Sequence, residues 1–417
     1  MGMLDGVKIV SFNHFMLGPL AAQNLGDLGA DVIMIEPIGG AFQRQWGGGN
    51  TFVGGESVAF LVANRNKRSI ALDLKSDAGR DIALALMKDA DVVMENFRPD
   101  IMDRLGLGWE TARAANPRLI FASASGWGSS GPYASRPGQD LLIQARSGLA
   151  MITGSVTAPP TPVGVSVADH HGAMVFSAAR NAAQGRQRAV NADRRIVAAA
   201  ILAALVRQGR TGEGARVEVD LMSAALDLQQ ESIVAHLNGS RERSLRSPEH
   251  IGGWLYQAPY GFYRTTNGHI AISICTLELL GEVLDCPELA AMTEADGWQR
   301  REDATALIQG IIEGDSTEAW CEKLEAHAIW HAPVMGYDAV AADPQIRHNG
   351  NLVESQLANG ETVTLVAHAA CYDGERPGIR LAPQPIGAQS REILSELGYD
   401  GQQIGQLEKA GAVAMAN

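Results

Sequence analysis

Residues 7–37 read VKIVSFNHFMLGPLAAQNLGDLGADVIMIEP, and the order of patterns within them decides the fold. VKIVSF is a short β-branched and aromatic run of the kind a sheet buries on both faces. GPLAAQNLGDLGA repeats small apolar residues at helical spacing, and DVIMIEP is a second buried strand stopped by Pro37. Strand, helix and strand in succession predict a βαβ unit with parallel strands.

The alternation continues along the chain. RSIALDL (68–74), DVVMENF (91–97) and RLIFASAS (118–125) read as strands. Between them DAGRDIALALMKDA (77–90) and PDIMDRLGLGWETARAANP (99–117) read as one helix each. The expectation is an α/β chain with a large, mostly parallel sheet covered on both faces, and ligands gather at the carboxyl edge of such a sheet. That edge is formed by the loops NHFMLG, EPIGG, DLKSDAG, ENFRPD and ASGWGSSGP. Further on, the strand NGHIAISIC (267–275) and helices around TALIQGIIEG and TEAWCEKLEAH predict a smaller α+β unit over 226–335.

Composition agrees with two or three units. The chain has 417 residues, more than one core of roughly 150 residues would use. No apolar run reaches the roughly 18 residues of a membrane span, and the N-terminus lacks a basic, apolar, small-residue leader pattern, so a cytoplasmic location is expected. A net charge of −13 repels nucleic acid and anionic membrane at long range. Cys275, Cys286, Cys321 and Cys371 form no CxxC pair and are expected to be core thiols.

Within this acidic chain NRNKRSIALDLK is locally basic, holding Arg65, Lys67, Arg68 and Lys75 against Asp73. ENFRPDIMDR adds Asn96, Arg98 and Arg104 beside Phe97. Cations next to a planar ring suit a phosphorylated adenine nucleotide, whereas spacing alone favours an ordinary solvated face. No GxGxxG follows the first strand and no GxxxxGK[ST] occurs, which argues against a dinucleotide dehydrogenase or a P-loop enzyme.

TPVGVSVADHHGAM (161–174) poses the sharper question, because Asp169 closes an uncharged apolar run at a helix start. A first-turn acid is commonly a cap or a charge favoured by the helix dipole. A poorly solvated carboxylate is also a nucleophile, and both readings stand on the residues alone. His170 and His171 are adjacent, point in different directions on a helix and have no third ligand at zinc-like spacing, so no metal is expected.

Taken together, LGPLAAQNLGDLGADVIMIEP, NRNKRSIALDLKSDAG, DVVMENFRPDIMDRLGLGWE, NPRLIFASASGWGSSGP, RQGRTGEGARVEVDLMSAAL, APVMGYDAVAADPQI and PIGAQSREILSELGYDGQQIGQLEKAGAV resemble the family III CoA-transferases in order over almost the whole chain. That family includes the formyl-CoA:oxalate and carnitine enzymes. The resemblance implies a large Rossmann-like CoA-binding domain over 1–225, the small domain over 226–335 and a C-terminal return to the large domain over 336–417. It also implies an interlocked homodimer, with acyl-CoA and a small carboxylic acid as substrates and no metal. Asp169, followed by Gly172 and the RQGRTGEG turn, matches the family nucleophile. The implied route runs through an acyl-aspartyl anhydride and an aspartyl-CoA thioester. By the same resemblance Leu72, Asp73, Leu74, Lys75, Asn96, Phe97 and Arg98 line the adenosine and phosphate site, and Arg104 reaches the phosphates. Arg136, Pro137, Gly138, Gln139 and Asp140 flank the pantetheine and thioester, Asp140 reading equally as a structural acid at a helix start.

Four departures shape the expectation. The related α-methylacyl-CoA racemases carry a histidine where Gln139 stands, and an amide cannot serve as the base that racemisation needs. A CoA-binding relative without transfer activity is the other alternative. Met16 replaces a glutamine of the oxalate-using members, and the glycine loop is reduced to EHIGGWLYQAPYG around Gly252 and Gly253, both weighing against oxalate. Finally VFSAARNAAQGRQRAVNADRRIV makes the region after Met174 about twenty residues longer than the family pattern, with Arg180, Arg186, Arg188, Arg194 and Arg195 against Asp193, and reads as a surface excursion.

Overall fold

The structure is a computed structural model that describes residues 2–46, 48–177, 200–241 and 243–416. The chain divides into two compact units. The first comprises Met1–Ile143, Ser166–Leu228 and Pro344–Asn417, and the second Gln144–Val165 and Gln229–Asp343.

The first unit is built on six parallel strands in chain order: β1 (Lys8–Phe12), β2 (Asp31–Glu36), β3 (Lys67–Leu72), β4 (Val92–Glu95), β5 (Ile120–Ser125) and β6 (Ala215–Asp220). Their order across the sheet is β3-β2-β1-β4-β5-β6. A short strand, Val413–Ala414, pairs antiparallel with β3 and covers its outer edge, Val413 opposite Leu72. Strand residues alternate between two cores. Ile9, Val92, Met94 and Ile120 enter the one shared with helix α1 (Leu17–Asp27), while Val10, Phe12, Val93 and Phe121 enter the one under α2 (Asp77–Lys88). Both faces are therefore apolar, which is why these strands read as continuous hydrophobic runs.

The expected single helix over 99–117 is two, α3 (Ile101–Arg104) and α4 (Trp109–Ala115). Gly106, at φ +73°, ends the first turn, and Gly108 starts the second helix with its Cα hydrogen where a Cβ would lie 1.8 Å from Asp103 Oδ1. Beyond them come α5 (Asp140–Arg146), α6 (Val167–Ser177), α7 (Ala200–Thr211) and α8 (Leu221–Leu228). The arginine-rich extension expected after Met174 lies, from residue 178 to 199, outside the described residues.

The second unit holds a three-stranded antiparallel sheet, with His269–Ile272 between Gly261–Arg264 and His331–Pro333. Helices Leu277–Val283, Arg301–Ile312 and Thr317–Ala326 pack on it through Tyr263, Ile270, Leu280, Ile308 and Leu324. The cysteines are not core thiols in the strict sense. Cys275, Cys286 and Cys321 are half-buried at the margin of this core, and Cys371 is exposed. Among the described residues no helix is long and apolar enough to cross a membrane.

Candidate active site

From β1 the strands are added in one direction through β2 and β3 and in the other through β4, β5 and β6. The crevice outside the carboxyl ends at such a switch point is where open α/β sheets bind ligands. A cleft of about 510 Å³ opens there, lined by the loops after β1, β4 and β5 and by the start of α6.

The loop after β1 is clamped to the loop after β4. Asn96 Oδ1 accepts the N–H of His14, and Asn96 Nδ2 donates to the His14 carbonyl, both at 2.8 Å. The His14 ring stacks on Phe97 with centroids 5.3 Å apart. Burial lowers its pKa to about 4, so it is a neutral imidazole at physiological pH. Phe15, at φ +61°, turns its ring against Phe42 and the edge of Trp46. Glu95, at the end of β4, is buried; its Oε2 accepts the Phe97 N–H at 2.8 Å, and burial pushes its pKa up to about 7.

Asp169 stands in the first turn of α6 and lines the cleft. Its helix lies close to α1 because residue 172 is glycine: a Cβ there would meet Leu17 Cδ1 at 2.6 Å. A second close approach brings the segment 136–140 against the end of β5. Gly126 and Gly138 face each other, and a Cβ on either would sit 2.3–2.4 Å from the other's Cα. Asp140, beginning α5, then reaches the start of α6, where its Oδ1 accepts the N–H groups of Ala168 at 2.7 Å and Asp169 at 3.1 Å. Asp169 itself is partly buried, and its carboxyl is pushed up to about 7, first by burial and then by the negative charge of Asp140. A carboxylate with so little water around it is a better nucleophile than a solvated one, at the expense of being partly protonated near neutrality.

The other expected residues separate into two groups. Asn96, Phe97, Arg98, Arg136, Pro137, Gly138, Gln139 and Asp140 line the cleft together with Asp169. Leu72, Asp73, Leu74, Lys75 and Arg104 do not line it; Leu72 ends β3, Asp73, Leu74 and Lys75 follow it along the same sheet edge, and Arg104 ends α3. The locally basic stretch behaves differently from its composition. Arg65 makes a buried ion pair with Asp27 at 2.7 Å, and Arg68 pairs with Asp31, Glu392 and Glu396. Lys67 is fully buried, donating to the carbonyls of Pro19 and Ala63 and to Asn64 Oδ1. These three hold the fold. Lys75, Arg98, Arg104 and Arg136 are exposed and form no ion pair among the described residues.

His171 Nε2 lies 2.9 Å from Asp227 Oδ2 of α8, tying two helices, and His170 is exposed. Among the described residues no three His, Cys, Asp or Glu side chains are grouped as metal ligands. His14, Phe15, Gln43 and Trp46 also line the cleft and were not singled out by sequence. The signal available for them was their place in NHFMLG and after EPIGG, two loops at the carboxyl edge.

Comparison with known proteins bears on what this cleft serves. The sequence matches the model of CoA-transferase family III over residues 4–193 and 195–390. It is 30% identical to the human succinyl-CoA:glutarate CoA-transferase, covering 98% of this chain and 90% of that one. It is also 30% identical to the acetyl-CoA:oxalate CoA-transferase of Acetobacter aceti, over 94% of this chain and 96% of the relative. A crystal structure of a CAIB/BAIF family protein from Brucella suis superposes with a TM-score of 0.79 at 26% identity, covering 95% of this chain and all of that one. Because the match runs through both compact units and the relatives are aligned nearly end to end, the chain belongs to CoA-transferase family III and is an enzyme of that class.

Proposed function

We propose that this enzyme moves CoA from an acyl-CoA thioester to a free carboxylic acid with Asp169 as the covalent nucleophile. The observation that carries the reading is the position of Asp169: a partly buried carboxylate, raised to about 7, facing the cleft at the switch point. The Asp169 carboxylate adds to the thioester carbonyl, the C–S bond breaks, and CoA leaves as thiolate with the bonding pair. The thiolate then attacks the aspartyl carbonyl of the mixed anhydride, releasing the first acid and leaving an aspartyl-CoA thioester. The acceptor carboxylate attacks this thioester, and the expelled thiolate takes the new acyl carbon, regenerating Asp169. No net proton moves, so the demand is for donors aimed at each oxyanion. The N-terminus of α1 supports this role, since no side chain caps it and Met16 and Leu17 line the cleft.

For CoA itself, the exposed cations Lys75, Arg98, Arg104 and Arg136 are suited to the phosphates, and Leu72, Asp73, Leu74 and Phe97 to the adenosine. Asn96 acts by holding the His14 loop, and Pro137, Gly138 and Gln139 flank the pantetheine. Binding energy gained at these remote groups becomes available at the reacting carbonyl. We also place the enzyme in the cytoplasm as an interlocked homodimer. Large exposed apolar side chains of the second unit, Ile274 at 68%, Trp330 at 70% and Tyr337 at 85%, support a surface that a second copy covers.

The test uses acetyl-, succinyl- and a medium-chain acyl-CoA with isotopically labelled acids, separating CoA esters by chromatography. Label appearing in a new acyl-CoA only when donor, acid and enzyme are all present supports transfer. Exchange of the α-hydrogen in heavy water with no acid requirement would instead identify a racemase.

A further inference from the structure

A helix start leaves its first N–H groups without intrahelical partners, and the acceptor is ordinarily the residue just before the helix. At α6 an acceptor arrives from a different helix. Asp140 Oδ1 takes the N–H of Ala168 and that of Asp169 itself, 29 residues further along the chain. We propose that Asp140 is a positioning residue, fixing the backbone of Asp169 so that its carboxylate faces the cleft while placing a like charge beside it. This rests on the reading of Asp169 as the nucleophile.

The two contributions are physically separate. The hydrogen bonds need only an oxygen acceptor, which the amide of asparagine also offers; the like charge needs an ionised carboxylate. Asp140 acts with burial to raise the carboxyl of Asp169. Among the described residues Asp140 is the charged group that acts on the Asp169 carboxyl. Arg98, Arg136 and neutral His14 line the same cleft. Among the helices and strands packed on α6, α1 ends in Asp27, held by Arg65, and α7 presents Arg207, paired with Glu213, and Arg210. The β6 strand presents Arg216 paired with Glu218, Asp220 bonds Ser223, and α8 presents Asp227, on His171. His170 lies next to Asp169 on α6 itself.

The experiment compares full-length wild type, D140N and D140A. For each, kcat, KM and the pH profile of acyl transfer from pH 5.5 to 8.5 are measured, with hydroxylamine labelling of the Asp169 peptide. Donors are acetyl-, succinyl- and a medium-chain acyl-CoA. The expectation for D140A is a fall in kcat of about 10- to 100-fold with KM for acyl-CoA changed much less, as a small misplacement of a nucleophile produces. D140N should lose far less, and its rate relative to wild type should be higher at pH 6 than at pH 8, because removing the like charge moves the acid limb to lower pH. If wild type is labelled at Asp169 and D140A matches its kcat and pH profile, the inference is overturned and the nucleophile stands. D140N as slow as D140A with an unmoved acid limb overturns it too. If no donor labels wild type at Asp169, the reading beneath it fails and the inference falls with it.

Discussion

In the proposed reaction the chemistry rests on Asp169, a carboxyl group whose environment opposes its ionisation. Below its ordinary value of 3.8 Asp169 is protonated both folded and unfolded; as pH rises to about 7 only the unfolded chain ionises, so folding stability is lost progressively and the loss levels off above 7. The cost reaches at most ~4 kcal/mol, less to the extent that the cleft admits water. D169N is therefore expected to be inactive in transfer yet more stable than wild type at pH 8.5, with little gain at pH 4.5, as read by thermal unfolding at both pH values. The arginines should divide in the same way by environment. R98A and R136A are expected to raise KM for acyl-CoA by roughly tenfold each, as loss of a charged hydrogen-bonding partner does, with folding unchanged. R65A strands Asp27, whose side chain is 1% exposed, and should lower stability by about 3–5 kcal/mol in denaturant titration. Composition could not tell these arginines apart, because the partners of Arg65 and Arg68 stand at 27, 31, 392 and 396.

At the scale of elements, close approaches at glycine bring the site together. Gly126→Ala or Gly138→Ala places a methyl against backbone and is expected to cost about 2–3 kcal/mol and to lower transfer activity. Gly172→Ala presses on the end of the Leu17 side chain and touches that of Leu221, with no backbone in the way, and a helix-propensity gain of up to ~1 kcal/mol offsets part of the strain, so its penalty should be nearer 1 kcal/mol. Denaturant midpoints of the three variants check the ranking. Strands β1 to β5 were legible because their faces are buried on both sides, which leaves unmistakable apolar runs. The break at Gly106 was hidden by a helix-like pattern that continues through it, and the bond from Asp140 to α6 was hidden because it joins positions 29 residues apart. Nothing in the apolar periodicity signals that 144–165 leaves the first unit for the second.

For the molecule as a whole, the chain returns after residue 344 to complete the first unit, and its last strand pairs with β3. Arg44 reinforces that return: its guanidinium holds Glu36 in a buried pair at 2.7 Å and donates to the carbonyl of Gln384. If the exposed aromatic side chains of the second unit are covered by a second copy, light scattering at micromolar concentration should give twice the 44.3 kDa chain mass. A monomer at that concentration would contradict the homodimer. Apolar periodicity could not reveal this pairing, since it ends at each element and does not say to which unit a tail returns.

Covalent catalysis by Asp169 is put to the test by peptide mapping with mass spectrometry after the full-length enzyme is mixed with an acyl-CoA donor and quenched with hydroxylamine. The expected result is a hydroxamate on Asp169, dependent on the donor and absent from D169N. Turnover of donor and acid into a new acyl-CoA with Asp169 unmodified under every quench would contradict it.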